Sequence, residues 1–363
     1  MSEITDFRPQ WASPPGATIA DALLARDLTR AEFSTRLGEP EIFVEALLLG
    51  EIPITIGLAR RLHQELGASV AFWMARDHQY REDLERLRAA ESEWVRTLPT
   101  EDMTRLGWVH PQPFPGDEVA TFFHYFEVQS LAAWRARYHA VLAAVDFRTS
   151  PTFDSHPSAV ATWLRQGERI AAETVCASWD EATLRTALPE FRTLSRLRDP
   201  DRFVPKLRSL ASACGIAIAI VPALSGCRAS GATLWLSPEK ALLMLSARHL
   251  TDDHLWFTLF HEFGHLLLHR DTRLFLEEEG SMVASLEDAA NSFAMNVLLP
   301  EESRAELSRI PLNRNGVLLL ASRAGVAPGI IVGQLQKSGR IGPERLNFLK
   351  RRFAWEGNRL VSR

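Results

Sequence analysis

The stretch FTLFHEFGHLLLHR, residues 257–270, constrains the fold more than any other part of the chain. It is apolar on nearly every side, so as a helix it must be buried, yet it carries His261, Glu262 and His265. Imidazoles buried without partners are costly. On a helix, positions i and i+4 differ by about 40° of azimuth and 6 Å of rise, so His261 and His265 present their rings on one side of adjacent turns. Both can reach one ion. Zn²⁺ takes imidazole nitrogen at about 2.0–2.1 Å in tetrahedral geometry, and a catalytic site keeps one position open for water. Glu262 sits about 100° from His261, off the ligand line, where it can lean over that water and accept its proton. His269 lies about 12 Å along the axis from His261, too far for a straight helix to bring three rings to one ion. The LLLH segment has no glycine that would turn the chain back. His269 is therefore expected to be structural or to support a ligand from behind.

A third ligand is expected from SLEDAANSFAMNVLLP, residues 285–300. Read as a helix ending before Pro300, this segment has an apolar stripe of Ala290, Phe293, Ala294, Val297 and Leu298. Glu287 and Asn291 fall on the same side. A carboxylate on a core stripe needs a cation, and an ion held by the first helix would satisfy it. Asp288, about 100° away, is expected to face solvent, and LEEEG at 276–280 reads as a solvated loop. The expected shell is His261, His265, Glu287 and a water around Zn²⁺, with Mn²⁺ as the alternative ion. Glu262 is the catalytic candidate, and no residue is assigned to an organic cofactor.

Composition adds limits. The 363 residues are 46% hydrophobic and 24% charged, with a formal net charge of -4, so nothing in the overall balance asks for nucleic acid or an anionic membrane. Three cysteines without CxxC spacing suggest neither a disulfide framework nor a thiolate metal cluster. With no signal-like start and no run of about 18 apolar residues, the expected location is the cytoplasm, with no membrane partner.

Along the chain, residues 18–77 break into short helices separated by LGEPE, GEIPIT and LGAS. The segment LTRAEFSTRLGEPEIFVEALLLGEIPITIGLARRLHQELGASVAFWM resembles the helix-turn-helix of the XRE family, especially its antitoxin-like branch. That resemblance places the second helix at Arg30–Leu37 and the recognition helix at Glu41–Leu48. The recognition helix, however, presents Glu39, Glu41 and Glu45 and no basic residue, so carboxylates would face phosphates. DNA is a disfavoured partner; dimerisation or docking of a partner protein is the other reading. Residues 78–200 read as a middle region of amphipathic helices, such as LERLRAAESEWVRTL and ATWLRQGERIAAETV, with loops at 110–118 and 148–158. FFHYFE at 122–127 is read as core rather than as a base-stacking surface.

Near residue 201 the texture changes. FVPKLRSLASACG reads as a helix stopped by Gly215, followed by the apolar runs IAIAIVPAL, GATLWLS and ALLMLSA as an antiparallel meander. The signature helix then starts after TDDH. The expected fold class is α+β, mostly α: a helix-turn-helix bundle (18–77), a helical middle region (78–200), and a zincin-like domain with a small antiparallel sheet and helical tail (201–363).

The pair FTLFHEFGHLLLH and EDAANSFAMNVLLP resembles the ImmA/IrrE family of zinc metallopeptidases, whose mark is HExxH followed by a Glu-x-x-Ala-Asn-x-Phe-Ala helix ending in Leu-Pro. The resemblance runs from about 201 to 352 and includes LLLASRAGVAPGIIVGQLQKSGRIGPERLNFLK. It implies a gluzincin-like core that cleaves a partner repressor under stress or induction, or one that accompanies toxin–antitoxin elements. The expected activity is thus a zinc-dependent endopeptidase acting on a cytoplasmic repressor or antitoxin-like protein. An extended substrate would pair with the edge of the sheet at ALLMLSA. The alternative is a DNA-binding regulator or antitoxin whose metal domain senses or stabilises. The oxyanion-stabilising residue, the inducing signal and a homodimer are left open; Arg248, His249 and His254 are near in sequence but not placed by it.

Overall fold

The computed structural model describes residues 9, 11–110, 117–139, 141, 156–270, 274–277 and 284–363. They form two compact units, Met1–Arg96 and Thr97–Arg363. The chain is mostly helical with a small sheet. Among the described residues no single helix is long and apolar enough to cross a membrane.

The first unit holds α1 (Pro15–Leu24), α2 (Arg30–Leu37), α3 (Glu41–Leu48), α4 (Ile56–Leu66) and most of α5 (Val70–Thr97). Local signals set these bounds. Thr29 and Glu32 close a capping box at the start of α2, and Gly38, at φ 70°, ends it in the left-handed conformation. Thr55 caps α4. Phe33, Val44, Leu47, Leu58, Leu62 and Trp73 make the core between the helices. On α3, Glu41, Ile42 and Glu45 face outward, while Glu39 pairs with Arg61 at 2.8 Å. Residues 70–97 contain neither glycine nor proline, so nothing stops α5 at residue 77, and it runs on to Thr97.

The second unit is layered around a four-stranded sheet of β1 (Ile216–Ile220), β2 (Gly231–Ser237), β3 (Lys240–Leu245) and β4 (Leu274–Glu277), in the order β1-β3-β2-β4. β2 is antiparallel to β3 and β4, but β1 runs parallel to β3. The expected antiparallel meander is therefore a mixed sheet. IAIAI is apolar without alternation and buried at every position, as parallel strands covered on both faces are. The same order corrects a second expectation: ALLMLSA is β3, an interior strand paired on both sides, and has no free edge for a substrate. Leu276 and Glu277, expected in a loop, belong to β4 and pair with β2, because an edge strand is satisfied by backbone pairing on one side whatever its charge. Residues 278–280 lie outside the described residues.

After α6 (Thr100–Arg105), α7 (Glu118–Phe126) buries Phe122, Tyr125 and Phe126, and α8 (Leu131–Arg137) follows. Three of the six residues of FFHYFE are thus core, while His124 and Glu127 are exposed. α9 (Pro157–Glu173) packs against β1 and β3, where a Cβ at Gly167 would collide with Met244. Most of the two expected loops, 110–118 and 148–158, lies outside the described residues; Glu118 opens α7 and Pro157 opens α9. α10 (Glu181–Leu194) and α11 (Pro200–Ala213) join the main core, with Gly215 at φ 83° after α11.

The signature helix α12 (Asp252–Leu268) is followed by α13 (Ala284–Leu298), α14 (Glu301–Leu307), α15 (Arg314–Ala324), α16 (Pro328–Lys337) and the hairpin β5 (Phe353–Glu356)–β6 (Arg359–Ser362). Trp256 and Phe263 on the back of α12 are fully buried against Phe203 and Phe191. Burial of such a side chain stabilises by about 1.5–3 kcal/mol, which fixes the rotation of the helix and hence the direction of its histidines.

The start of α12 is tied to the C-terminal segment. Thr251 makes no side-chain cap; instead the fully buried Asp252 accepts from the backbone N–H groups of Asp253 and Arg351 on Oδ1, each at 3.0 Å. Its Oδ2 has no hydrogen-bond donor among the described residues, and Arg351 Nε stands 4.0 Å away. Burial, and next to it the Asp253 carboxylate, push Asp252 up from 3.8 to about 7. The folded state thus holds a proton that the unfolded state releases near pH 4, so this group's stabilisation is present on the acid side and is lost as pH rises through about 7. Asp252→Asn should keep both accepted hydrogen bonds and remove that loss. Thermal melts should place the variant level with wild type near pH 3, and more stable by roughly 4 kcal/mol near pH 8, the gap opening between about pH 4 and pH 7. A variant that loses stability relative to wild type as pH rises would contradict this.

Candidate metal centre

α12 and α13 lie side by side, and Gly264 sets how closely. A Cβ there would stand 3.1 Å from Ala290 Cα and 3.2 Å from Phe293, so glycine on one helix and alanine on the other let the backbones approach. Ala290, Ala294 and Leu298 are fully buried along the contact, Phe293 and Val297 partly, as the stripe expected for this helix requires. Glu287 is one turn ahead of Ala290 on that stripe. Asp288 is exposed.

Three side chains converge as a result. His261 Nε2 is 2.9 Å from His265 Nε2 and 3.1 Å from Glu287 Oε2, and His265 Nε2 is 3.7 Å from the same oxygen. Ligand atoms of a tetrahedral Zn²⁺ stand about 3.3 Å apart, given bonds of about 2.0–2.1 Å. The three separations bracket that value. Both imidazoles are 1% exposed, so their ligand atoms are shielded from bulk water.

The outward ring nitrogens are also engaged. His261 Nδ1 lies 3.2 Å from Asn291 Oδ1, which can only accept, so Nδ1 carries the proton and Nε2 directs its lone pair inward. His265 Nδ1 lies 3.2 Å from His269 Nδ1, and donation from His265 to His269 gives the same tautomer. Burial pushes Glu287 up, but hydrogen bonds donated in the other tautomer, with a ring Nε2 protonated, and charge from His265 and His261 outweigh it and hold the carboxyl below the usual range; in the Nδ1-protonated tautomer a cation takes the place of those donors. Burial likewise holds the His265 and His269 rings below the ordinary histidine value. An ionised carboxylate facing two inward lone pairs is a donor set that a divalent cation satisfies, and the residues fit such an ion.

Glu262 is fully buried beside this cluster. Its carboxylate lies against Gly231 at the start of β2, where a Cβ would overlap Glu262 Oε1 and Thr258 Cγ2. Sequence reasoning passed over Gly231, since nothing near it in the chain signals the contact. It named Asn291 as a motif residue without giving it a partner; the structure supplies His261. His269 caps the end of α12 and touches His265 without joining the triad. Among the described residues, His261, His265 and Glu287 form the one group with metal-ligand geometry. Arg248, His249 and His254 line one small recess at the start of the helix.

A mixed sheet flanked by a helix bearing His-Glu-x-x-His and a second helix bearing Glu defines a metallopeptidase-like site. Residues 230–333 match the family model for the IrrE N-terminal-like domain, peptidase family M78. The match covers under a third of the chain and contains Glu262 and all three convergent residues. No curated protein matches the chain.

Metal titration of the purified apoprotein, followed by elemental analysis, checks the roles. His265→Ala and Glu287→Ala should abolish stoichiometric binding. Asn291→Ala and His269→Ala should retain it with affinity weakened by about ten- to a hundredfold, the usual cost of losing a group that orients a ligand. Loss of the ion in His269→Ala but not in Glu287→Ala would overturn the assignment.

Proposed function

We propose that the protein is a zinc-dependent endopeptidase whose substrate is a cytoplasmic repressor or antitoxin-like protein, so that cleavage controls transcription or a stress response. The observation that carries this reading is the buried Glu262 carboxylate beside a convergent His261, His265 and Glu287. A site that only stored or sensed an ion would not need it. His261, His265 and Glu287 would hold the ion, with Mn²⁺ as the alternative to Zn²⁺. The bound ion would act as a Lewis acid on the scissile carbonyl and on a water molecule. Glu262 takes the proton of that water as its oxygen adds to the carbonyl carbon, and passes it to the departing amine nitrogen as the C–N bond breaks. Asn291 and His269 keep the imidazoles in the tautomer that leaves their Nε2 atoms available.

For the first unit, the acidic outward face of α3 supports docking of a partner protein over the alternative of sequence-specific DNA binding. The choice of a repressor or antitoxin as substrate rests on the family resemblance.

Glu262→Gln preserves size and packing while removing the proton acceptor. The variant should fold and bind the ion with wild-type stoichiometry, and turnover should fall by about 10²- to 10⁴-fold. Mass spectrometry of proteins encoded beside this one, incubated with wild type or variant and with or without chelator, provides the readout. Equal cleavage by both proteins would remove Glu262 from the reaction; no cleavage by wild type would favour a sensor.

A further inference from the structure

The face of α12 that carries His261 and His265 continues past them. His254 precedes His261 by seven residues, which is about 10 Å of rise and only about 20° of azimuth, so it occupies the same face two turns upstream. It is exposed, and the ring of His249 stacks on it with centroids 4.2 Å apart and planes 29° apart. His249 comes from the turn that leads into the helix, which is bounded by Ala247 and Leu250 at φ 47° and 53°. In that turn Arg248 donates to the Arg228 carbonyl at 2.8 Å. Arg248, His249, His254, Ser230 and Thr258 line one recess, and Gly231 beside it touches both Thr258 and Glu262. Thr258, which lines the recess, and Glu262 thus flank the same glycine.

The other flank is also cationic. Lys337, exposed at the end of α16, places Nζ 4.5 Å from the centre of the Phe257 ring, and Phe257 lies 6.3 Å from His261. Lys350 is nearby but is committed to Asp253 at 2.6 Å. Burial, then Lys350 and Lys337, hold the His254 ring below its ordinary value, with Asp253 opposing them. Among the described residues Arg248 and Lys337 have no carboxylate partner, and Asp253 is already paired. Two cations and two imidazoles thus stand together around the start of α12, with Glu262 the buried carboxylate on the far side of Gly231.

We propose that this end of the cleft is a subsite for a carboxylate on the substrate, about three residues from the scissile bond. An extended chain advances about 3.3 Å per residue, so three residues span the roughly 10 Å from His261 to His254. The inference rests on the endopeptidase reading. The carboxylate is either an acidic side chain or the terminus of the substrate, and one set of probes separates these sources.

The probes are short peptide hydroxamates, which anchor on a zinc ion through the hydroxamate and leave the peptide in the cleft. They carry Glu, Gln or Lys three residues from the anchor, extend in either direction, and have amidated ends; a further pair ends at that position as free acid or amide. Affinities for the zinc-loaded full chain are measured by calorimetry at low and high salt. In one direction the Glu probe should bind about three- to tenfold tighter than Gln and the Lys probe more weakly, with the difference shrinking in salt. A preference confined to the free acid would assign the subsite to a chain terminus. His254→Ala and Lys337→Ala alter exposed side chains, and each should reduce the preference while leaving the zinc content and the affinity of the Gln probe unchanged. Equal affinities for all probes in both directions would overturn the subsite and leave the peptidase reading intact. Failure of every hydroxamate to bind the zinc-loaded protein would overturn that reading, and the subsite with it.

Discussion

The approach of α12 to α13 at Gly264 sets the separation on which the metal centre depends. A side chain at that position would press on Ala290 Cα and Phe293, and yielding would move Glu287 away from the two imidazoles. Protein cores accommodate such shifts by discrete repacking, so a displacement of a few tenths of an ångström here is felt as lost ligand geometry. The buried Trp256 and Phe263 fix the rotation of one helix, and Ala290, Ala294 and Leu298 fix the other. Small residues set the distance and large ones the direction.

Electrostatics completes what packing begins. Two imidazoles, each held in one tautomer by an outward partner, face a carboxylate that remains ionised despite partial burial. Glu262, one residue from His261, lies against Gly231, while Glu287 reaches the two rings from the facing helix, so the two carboxylates approach the cluster from different elements. At the start of the same helix, Asp252 is buried with Asp253 beside it and its carboxyl is driven up instead. Three acidic groups on two helices thus meet three different environments.

Much of this was legible in the sequence because it rests on helical periodicity. His261 and His265 at i and i+4, and Glu287 on a stripe with Ala290 and Ala294, follow from 3.6 residues per turn. The bounds of α2 and α3 came from the resemblance to a helix-turn-helix, and the structure adds the local chemistry that closes α2: the capping box of Thr29 and Glu32 and the turn at Gly38. What depended on contacts between distant segments was not legible. IAIAI announced a strand but not its parallel partner, and the period of ATWLRQGERIAAETV announced a helix but not the sheet it would cover. LEEEG looked like solvated loop because backbone pairing with β2 leaves no trace in residue type. Stacking of His249 on His254 likewise depends on a turn with two residues at positive φ that no motif marks.

The central claim is that one ion is held by two imidazoles and one carboxylate, with Glu262 standing outside the shell. X-ray absorption spectroscopy at the zinc edge of the loaded protein tests it most directly. The account predicts two imidazole nitrogens at about 2.0–2.1 Å and the remaining positions filled by oxygen, a pattern unchanged in Glu262→Gln. A third imidazole in the shell, or loss of an oxygen ligand in Glu262→Gln, would contradict it.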